Sequence, residues 1–377
     1  MRRENKPQNQ NRIDIEQIMA LLLLFFLLFE ILLISVTLIR CVEPKNDAEK
    51  EPIGGSEIST DQGSTNDDPN TVPVFAGGVN PPKPHAGEGT KTLGNEITSE
   101  YAILVDCESG EILASKNADI QFSPASMTKV MTLIVACENL TAEDLSRRVI
   151  YTQEIADYVR SGNYRGTSTS LPIESGGVSC IGDEYVLEDL LYGIGVASAA
   201  DCTYMIAREV AGSEEAFVEM MNQKAAEMGL TNTHFDNAVG FDSANNYTTA
   251  SEMATIMSYA MQSEKIKTYL AVRSEDHDIK SYYLKDGQEV SYTVTLKNSL
   301  NSRLEKYSAF KLTTSKMLAT KTGYTTESFM VVAAEGNTSK RQYVLVLGEK
   351  DSGDITLTQK FKNTMIDIES ILNTYVK

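Results

Sequence analysis

Hydrophobic positions follow three different patterns along the chain. From Ile18 to Ile39 they are almost unbroken, reading IMALLLLFFLLFEILLISVTLI with Glu30 as the one charge. As a helix that run spans about 33 Å, enough to cross a hydrocarbon core of about 30 Å. From residue 41 to 98 no apolar period survives. Seven of the ten prolines lie there, with Gly, Ser, Thr, Asn, Asp and Glu filling most of the rest, which predicts a disordered linker. From 99 to 377 regular patterning takes over. Tyr101–Asp106 and Glu111–Ala114 read as strands around a Glu108-Ser109-Gly110 turn, and Phe329–Ala334 and Tyr343–Leu347 as a second such pair. Val130, Leu133, Ile134 and Cys137 have the spacing of a helical stripe, as do Phe217, Met221, Ala225 and Met228, stopped by Gly229. Thr249 and Glu252 have capping-box spacing ahead of Met253–Met257. Phe361, Met365, Ile368, Leu372 and Tyr375 predict a closing helix. Strand pairs at both ends with helices between them predict an α+β domain, an antiparallel β-sheet flanked by helices.

Charge gives these segments an address. Arg2, Arg3, Lys6 and Arg12 precede the apolar run, so the positive-inside rule keeps residues 1–17 in the cytoplasm and exports everything after Arg40. No Ala-x-Ala-like cleavage site follows the run, and Arg40 stands where a lipidated Cys41 would need a small neighbour. Residues 18–40 therefore read as an uncleaved transmembrane signal anchor. Glu30 reads as a carboxyl that protonates in the membrane, its cost outweighed by its apolar neighbours. The expected product is a single-pass cell-membrane protein, with 41–98 as a tether of roughly 40–45 Å r.m.s. reach and 99–377 as an extracytoplasmic domain. The chain carries 34 Lys+Arg against 52 Asp+Glu, a net charge of −18. That acidity opposes nucleic acid as a partner and broad adhesion to anionic lipid.

Pro124-Ala125-Ser126-Met127-Thr128-Lys129 stands directly before the Val130 stripe. If Ser126 opens that helix, Lys129 lies one turn on and on the same face. A serine hydroxyl needs a base to become a nucleophile, and a desolvated, neutral lysine amine can serve. Ser308-Ala-Phe-Lys311 repeats the spacing and reads as chance. The three histidines, His85, His234 and His277, have no matching Gly-x-Ser-x-Gly elbow and no Cys/His cluster at ligand spacing, which disfavours a Ser-His-Asp triad and a zinc site. Lys321-Thr322-Gly323 adds a point charge, a hydroxyl and a close-approach glycine before the Phe329 strand, a set suited to a carboxylate. Of the five cysteines no spacing identifies a pair; Cys137 and Cys202 fall on apolar stripes and read as buried thiols.

Ser-x-x-Lys followed by Lys-Thr-Gly resembles the signature of the D-alanyl-D-alanine carboxypeptidases, the low-molecular-mass penicillin-binding proteins. The resemblance extends in order through Ser126–Lys129, Asp189-Leu-Leu-Tyr-Gly193, Asn232-Thr-His-Phe-Asp-Asn237 and Lys321-Thr-Gly-Tyr-Thr325. It implies a serine β-lactamase-like fold and removal of the terminal D-alanine from peptidoglycan stem peptides, with β-lactams as covalent inhibitors and no metal or cofactor. Ser126 would be the nucleophile, Lys129 its base and Ser198 the relay to the leaving amine. Lys321 and Thr322 would bind the substrate carboxylate beside Gly323, and the N–H groups of Ser126 and Tyr324 would form the oxyanion hole. Two positions depart from the family pattern. Ala200 stands where its asparagine clamps substrate and base, and Ser328-Phe329 where it has Ala-Gly. Asp201 is adjacent but about 100° away on a helix, so it is not assigned the clamp. Two other readings keep the same nucleophile: a catalytically weak stem-peptide-binding protein of the cell wall, and a β-lactamase.

Overall fold

The computed structural model describes residues 72–160, 171–172, 174–175, 178–271, 276–300, 317–324, 328–336, 338–349 and 356–376. The tail, the anchor at 18–40, most of the tether and Ser308–Lys311 lie outside them. Among the described residues no helix is long and apolar enough to cross a membrane.

The central strands are apolar on both faces because each face has its own cover. In β2 (Tyr101–Asp106), Ile103 and Val105 point into one cluster while Ala102 and Leu104 point into another. Strands β11 (Ser328–Glu335) and β12 (Gln342–Glu349) alternate the same way, with Val331, Val344 and Val346 on one side and Met330, Leu345 and Leu347 on the other. On the second side lies the closing helix Leu357–Tyr375, through Phe361, Met365, Ile368 and Leu372. The first side carries Lys129–Asn139, Ala200–Ala211, Glu214–Glu227 and Ala250–Ala260. Numbered in chain order after the short Ala142–Ser146 (α2), Gln153–Arg160 (α3) and Leu187–Tyr192 (α4), these are α1, α5, α6 and α7. Every residue of α1 from Lys129 to Cys137 is buried, so the predicted stripe understates a helix enclosed all round. The Thr249 cap forms, its side chain accepting from Glu252 N–H. Glu252 does not return the bond expected of a capping box; its carboxylate instead accepts from the Thr231 and Asn232 N–H groups and the Thr233 hydroxyl.

The large sheet has six strands in the order β1-β3-β2-β12-β11-β10, with β1 at His85–Thr92, β3 at Glu111–Lys116 and β10 at Met317–Tyr324. It is mixed rather than wholly antiparallel, since β1 runs parallel to β3. A second, four-stranded antiparallel sheet joins β4 (Arg148–Ile150), β7 (Glu184–Val186), β8 (His277–Lys285) and β9 (Gln288–Leu296), and β5 (Glu174–Ser175) pairs with β6 (Val178–Ser179).

The expected linker ends earlier than residue 98. Val74 N–H donates to Leu140 O at 2.7 Å and Phe75 N–H to Cys137 O at 2.8 Å, which lays the chain against the C-terminal end of α1. Phe75 is buried against Tyr259, and β1 then follows, largely exposed on both faces. A strand with no buried face carries no period-two signal, so composition alone reads it as linker. Tyr259 fastens this strap. Its hydroxyl accepts from Gly78 N–H at 2.8 Å and donates to Glu138 Oε1, and Glu138 also pairs with Lys224 at 2.6 Å. Tyr259→Phe is expected to cost about 1–2 kcal/mol and to speed amide exchange at Gly78. Unchanged protection of that amide in the variant would show that the strap is held elsewhere.

Candidate active site

Pro124 and Ala125 turn the chain into α1 through a single 3-10 turn, Ala125–Thr128. Ala125 takes φ 48°, a left-handed conformation that costs a non-glycine residue about 1–3 kcal/mol and persists only where the surroundings enforce it. Two glycines enforce it. A Cβ on Gly323 would stand 2.8 Å from Pro124 O and 3.3 Å from Ala125 Cβ, and Gly240 lies against the Ala125 carbonyl from the other side. The turn presents Ser126, half-buried and reachable, while Lys129 is 1% exposed.

Lys129 Nζ lies 3.1 Å from Ser126 Oγ and 2.6 Å from the Val239 carbonyl oxygen. Burial pushes its amine from 10.5 down to about 7, against the smaller upward pull of Asp201, Cys202 and Glu214. A neutral amine can donate one N–H to Val239 O and offer its lone pair to the Ser126 hydroxyl, the geometry of a general base. Asp201 is buried and accepts from Leu171 N–H at 2.9 Å and Cys202 N–H at 2.8 Å.

A second serine–lysine pair forms between Ser198 and Lys321. After the π-type turn Gly193–Ala197, Ser198 adopts φ 58° and starts the approach to α5. Its Oγ accepts from Lys321 Nζ at 2.7 Å. Lys321 is 1% exposed and also donates to the Thr322 carbonyl at 3.1 Å. Strand β10 ends the sheet order; on its outer edge Ala319 bridges Ala271 and Thr320 N–H donates to Leu270 O at 2.9 Å, and the Lys321-Thr322-Gly323-Tyr324 run follows that contact. The close fit of Gly323 on Pro124 and Ala125 binds that edge to the nucleophile turn. Ser126 with Lys129, and Ser198 with Lys321, are thus brought together in pairs, while Thr325 lies outside the described residues.

Ala200 is fully buried and packs with Val239 and Phe241, with Tyr158 beside them. Ala200 is therefore part of an apolar wall, and the acceptor for Lys129 is the Val239 carbonyl. Sequence reasoning missed this acceptor because a peptide carbonyl has no side-chain signature. The Asn237-x-x-Gly240 spacing was the available signal: Asn237 Oδ1 accepts from Gly240 N–H at 2.7 Å and Phe241 N–H at 2.8 Å, which folds the turn. The histidines have other partners. His234 Nδ1 lies 2.7 Å from Asn245 O, and His277 stacks on Tyr192 with ring centroids 3.9 Å apart. Among the described residues Cys107, Cys137, Cys180 and Cys202 form no disulfide, and Cys180 Sγ accepts from the Tyr292 hydroxyl at 3.3 Å; Cys41 lies outside the described residues. Burial pushes the Cys137 thiol up to about 12.

The sequence profile of the D-alanyl-D-alanine carboxypeptidases, peptidase family S11, matches residues 88–351. The chain belongs to this family. The matched range starts within β1, in keeping with a domain that includes that strand. D-alanyl-D-alanine carboxypeptidase DacF of Bacillus subtilis (strain 168) is 30% identical over 237 residues, 58% of this chain and 57% of that protein. DacC of Escherichia coli (strain K12) is 32% identical over 187 residues, 47% of this chain and 45% of that protein. The chain thus spans about half the length of the curated relatives it matches. Among solved structures, the S216A mutant of the Streptomyces K15 DD-transpeptidase superposes with a TM-score of 0.58 at 25% identity, covering 72% of this chain and 96% of that one. Penicillin-binding protein 5 from Haemophilus influenzae shares the fold at 21% identity and a TM-score of 0.53, covering 74% of this chain and 70% of that one.

Proposed function

We propose that this protein is a serine D-Ala-D-Ala carboxypeptidase that trims the terminal D-alanine from peptidoglycan stem peptides, held at the outer face of the cell membrane by residues 18–40. The observation that carries the reading is the buried Lys129 amine, lowered to about 7 and 3.1 Å from Ser126 Oγ. At neutral pH this amine takes the Ser126 proton as Oγ attacks the carbonyl carbon between the two D-alanines. Charge developing on the carbonyl oxygen meets the N–H groups of Ser126 and Tyr324 in their assigned role as an oxyanion hole. As the C–N bond breaks, the proton taken up by Lys129 passes through Ser198, in its assigned relay role, to the leaving amine; Lys321 holds the Ser198 Oγ, and Lys129 returns to the neutral amine. Water then attacks the acyl-enzyme with Lys129 again as base, releasing the shortened peptide and restoring Ser126.

In this reading Lys321 supplies a positive charge and Thr322 a hydroxyl for the terminal carboxylate, both from β10. Two readings share the acyl-enzyme step. Ala200, buried in apolar contacts where the family has its clamp, favours a slow enzyme or a stem-peptide-binding protein. A β-lactamase would require fast loss of the penicillin adduct.

Incubation with a fluorescent penicillin should label the protein stoichiometrically, and diacetyl-lysyl-D-Ala-D-Ala should release D-alanine. Absence of label at saturating penicillin removes acyl-enzyme chemistry at Ser126. Stable label without D-alanine release leaves the binding protein, and rapid loss of label leaves the β-lactamase.

A further inference from the structure

The family's asparagine would hold the base lysine from the position of Ala200, and here something else has to. Lys129 Nζ donates to Val239 O at 2.6 Å, and that carbonyl belongs to a turn with no regular secondary structure. A carbonyl on a turn positions a base only as well as the turn itself is fixed. The turn is fixed on each side of the preceding peptide. Ala238 N–H donates to Glu214 Oε1 at 3.0 Å, and Ala238 O accepts from the Thr132 hydroxyl at 2.7 Å. Thr132 lies on α1, one turn after Lys129 itself, so the base and its acceptor share a frame. The Tyr158 hydroxyl donates to the same Glu214 oxygen at 2.9 Å, and Tyr158 packs on the Ala200–Val239–Phe241 wall. Glu214 is the first residue of α6, after its Ser213 cap, where the helix end favours a carboxylate.

We propose that Glu214 is a positioning residue for the base: by clamping the 237–241 turn it lets the Val239 carbonyl hold Lys129 in place of the missing asparagine. The inference rests on the acyl-enzyme reading above and names the group that makes the Ala200 site workable. Burial pushes the Glu214 carboxyl up, while its bonds to Ala238 and Tyr158 and the nearby Lys129 favour the carboxylate. Around the Lys129 amine the ionisable neighbours are Asp201 and Cys202 of α5 and Glu214 of α6. Of these, Glu214 is the one that also orders the acceptor of the amine. The role is therefore both geometric and electrostatic, and the two parts separate by substitution. Glutamine keeps an acceptor oxygen for Ala238 and Tyr158 and removes the charge; alanine removes both.

The test is the second-order rate of penicillin acylation of the full chain, followed from pH 5 to pH 9. Glu214→Ala should lose about ten- to a hundredfold at the high-pH plateau, as expected when a group leaves a buried clamp unpaired. Glu214→Gln should keep the plateau within about threefold. Its acid limb should move to lower pH, because loss of a negative neighbour favours the neutral amine. A role confined to folding would lower the melting temperature of Glu214→Gln and leave its acid limb at the wild-type position, and that outcome overturns the proposal. So does a Glu214→Ala protein that acylates at the wild-type rate. If Glu214→Ala does not fold, the limb of Glu214→Gln still decides. Failure of the wild type to acylate would instead remove the acyl-enzyme reading on which all of this stands.

Discussion

Lys129→Met will slow penicillin labelling by about 10²–10⁴-fold, where Ser126→Ala abolishes it, and it will make the protein more stable. The first effect follows from removing the base 3.1 Å from the nucleophile, a loss of about 10²–10⁴-fold for general-base catalysis alone. The second follows from the depressed amine. In the unfolded chain a lysine titrates near 10.5, and in the fold Lys129 titrates at about 7. Below pH 7 both states carry the proton, and the folded state bears the full cost of a buried ammonium. Between pH 7 and pH 10 the unfolded state binds more protons, so wild-type stability rises with pH and the cost fades. A difference of that size corresponds to about 5 kcal/mol, of which methionine should recover about 1–3 kcal/mol because Val239 O loses its donor. The gain should be largest at pH 6 and nearly absent at pH 10, read as melting temperatures of the two proteins. A methionine variant that melts below wild type at pH 6, or that takes label at the wild-type rate, would contradict a buried neutral base. In the wild type the acylation rate should climb as pH passes about 7, the pH at which the amine of Lys129 gives up its proton.

The parts of this molecule that were legible from sequence are those whose signal is local. β2, β11 and β12 alternate between two covered faces, and the Glu108-Ser109-Gly110 turn joins β2 to β3, so the strand pairs at both ends appear where the pattern predicts them. The second sheet also had a local signal, in the Asp286-Gly287 turn between its two long strands. Both residues take positive φ there, 52° and 78°, as a two-residue hairpin loop requires. β1 had none, since it joins the sheet through its backbone and exposes its side chains. Its parallel pairing with β3 depends on strand order, which no local pattern encodes. In the site, Ser126, Lys129 and Lys321 were visible because their side chains carry the chemistry at a recognisable spacing. Val239 works through its carbonyl and Glu214 through a peptide N–H 24 residues away, and neither contact marks the sequence.

Gly240 shows how tightly the backbone of that turn is tied to the nucleophile, and Gly240→Ala should cost about 3–4 kcal/mol together with about a hundredfold in acylation rate. The residue has φ +85°, where alanine pays about 1 kcal/mol for the left-handed conformation alone. The larger cost is steric. A methyl there would overlap the Ala125 carbonyl oxygen and stand 2.5 Å from its carbon and 2.9 Å from Thr128 Oγ1. Those atoms are the backbone and side chain of the 3-10 turn that carries Ser126, so relief requires the turn or the 237–241 segment to move. Movement of the turn shifts Ser126, and movement of the segment withdraws Val239 O from Lys129; either lengthens the path of the proton. Gly212→Ala supplies the control. It has φ +81° but nothing within 4 Å of the added carbon, so it should lose only about 1 kcal/mol and acylate at the wild-type rate. Denaturant titration and penicillin acylation of both variants separate the terms. Equal stability losses in the two would mean that the nucleophile turn gives way freely around Gly240, and that the left-handed Ala125 is not held by the contacts described here.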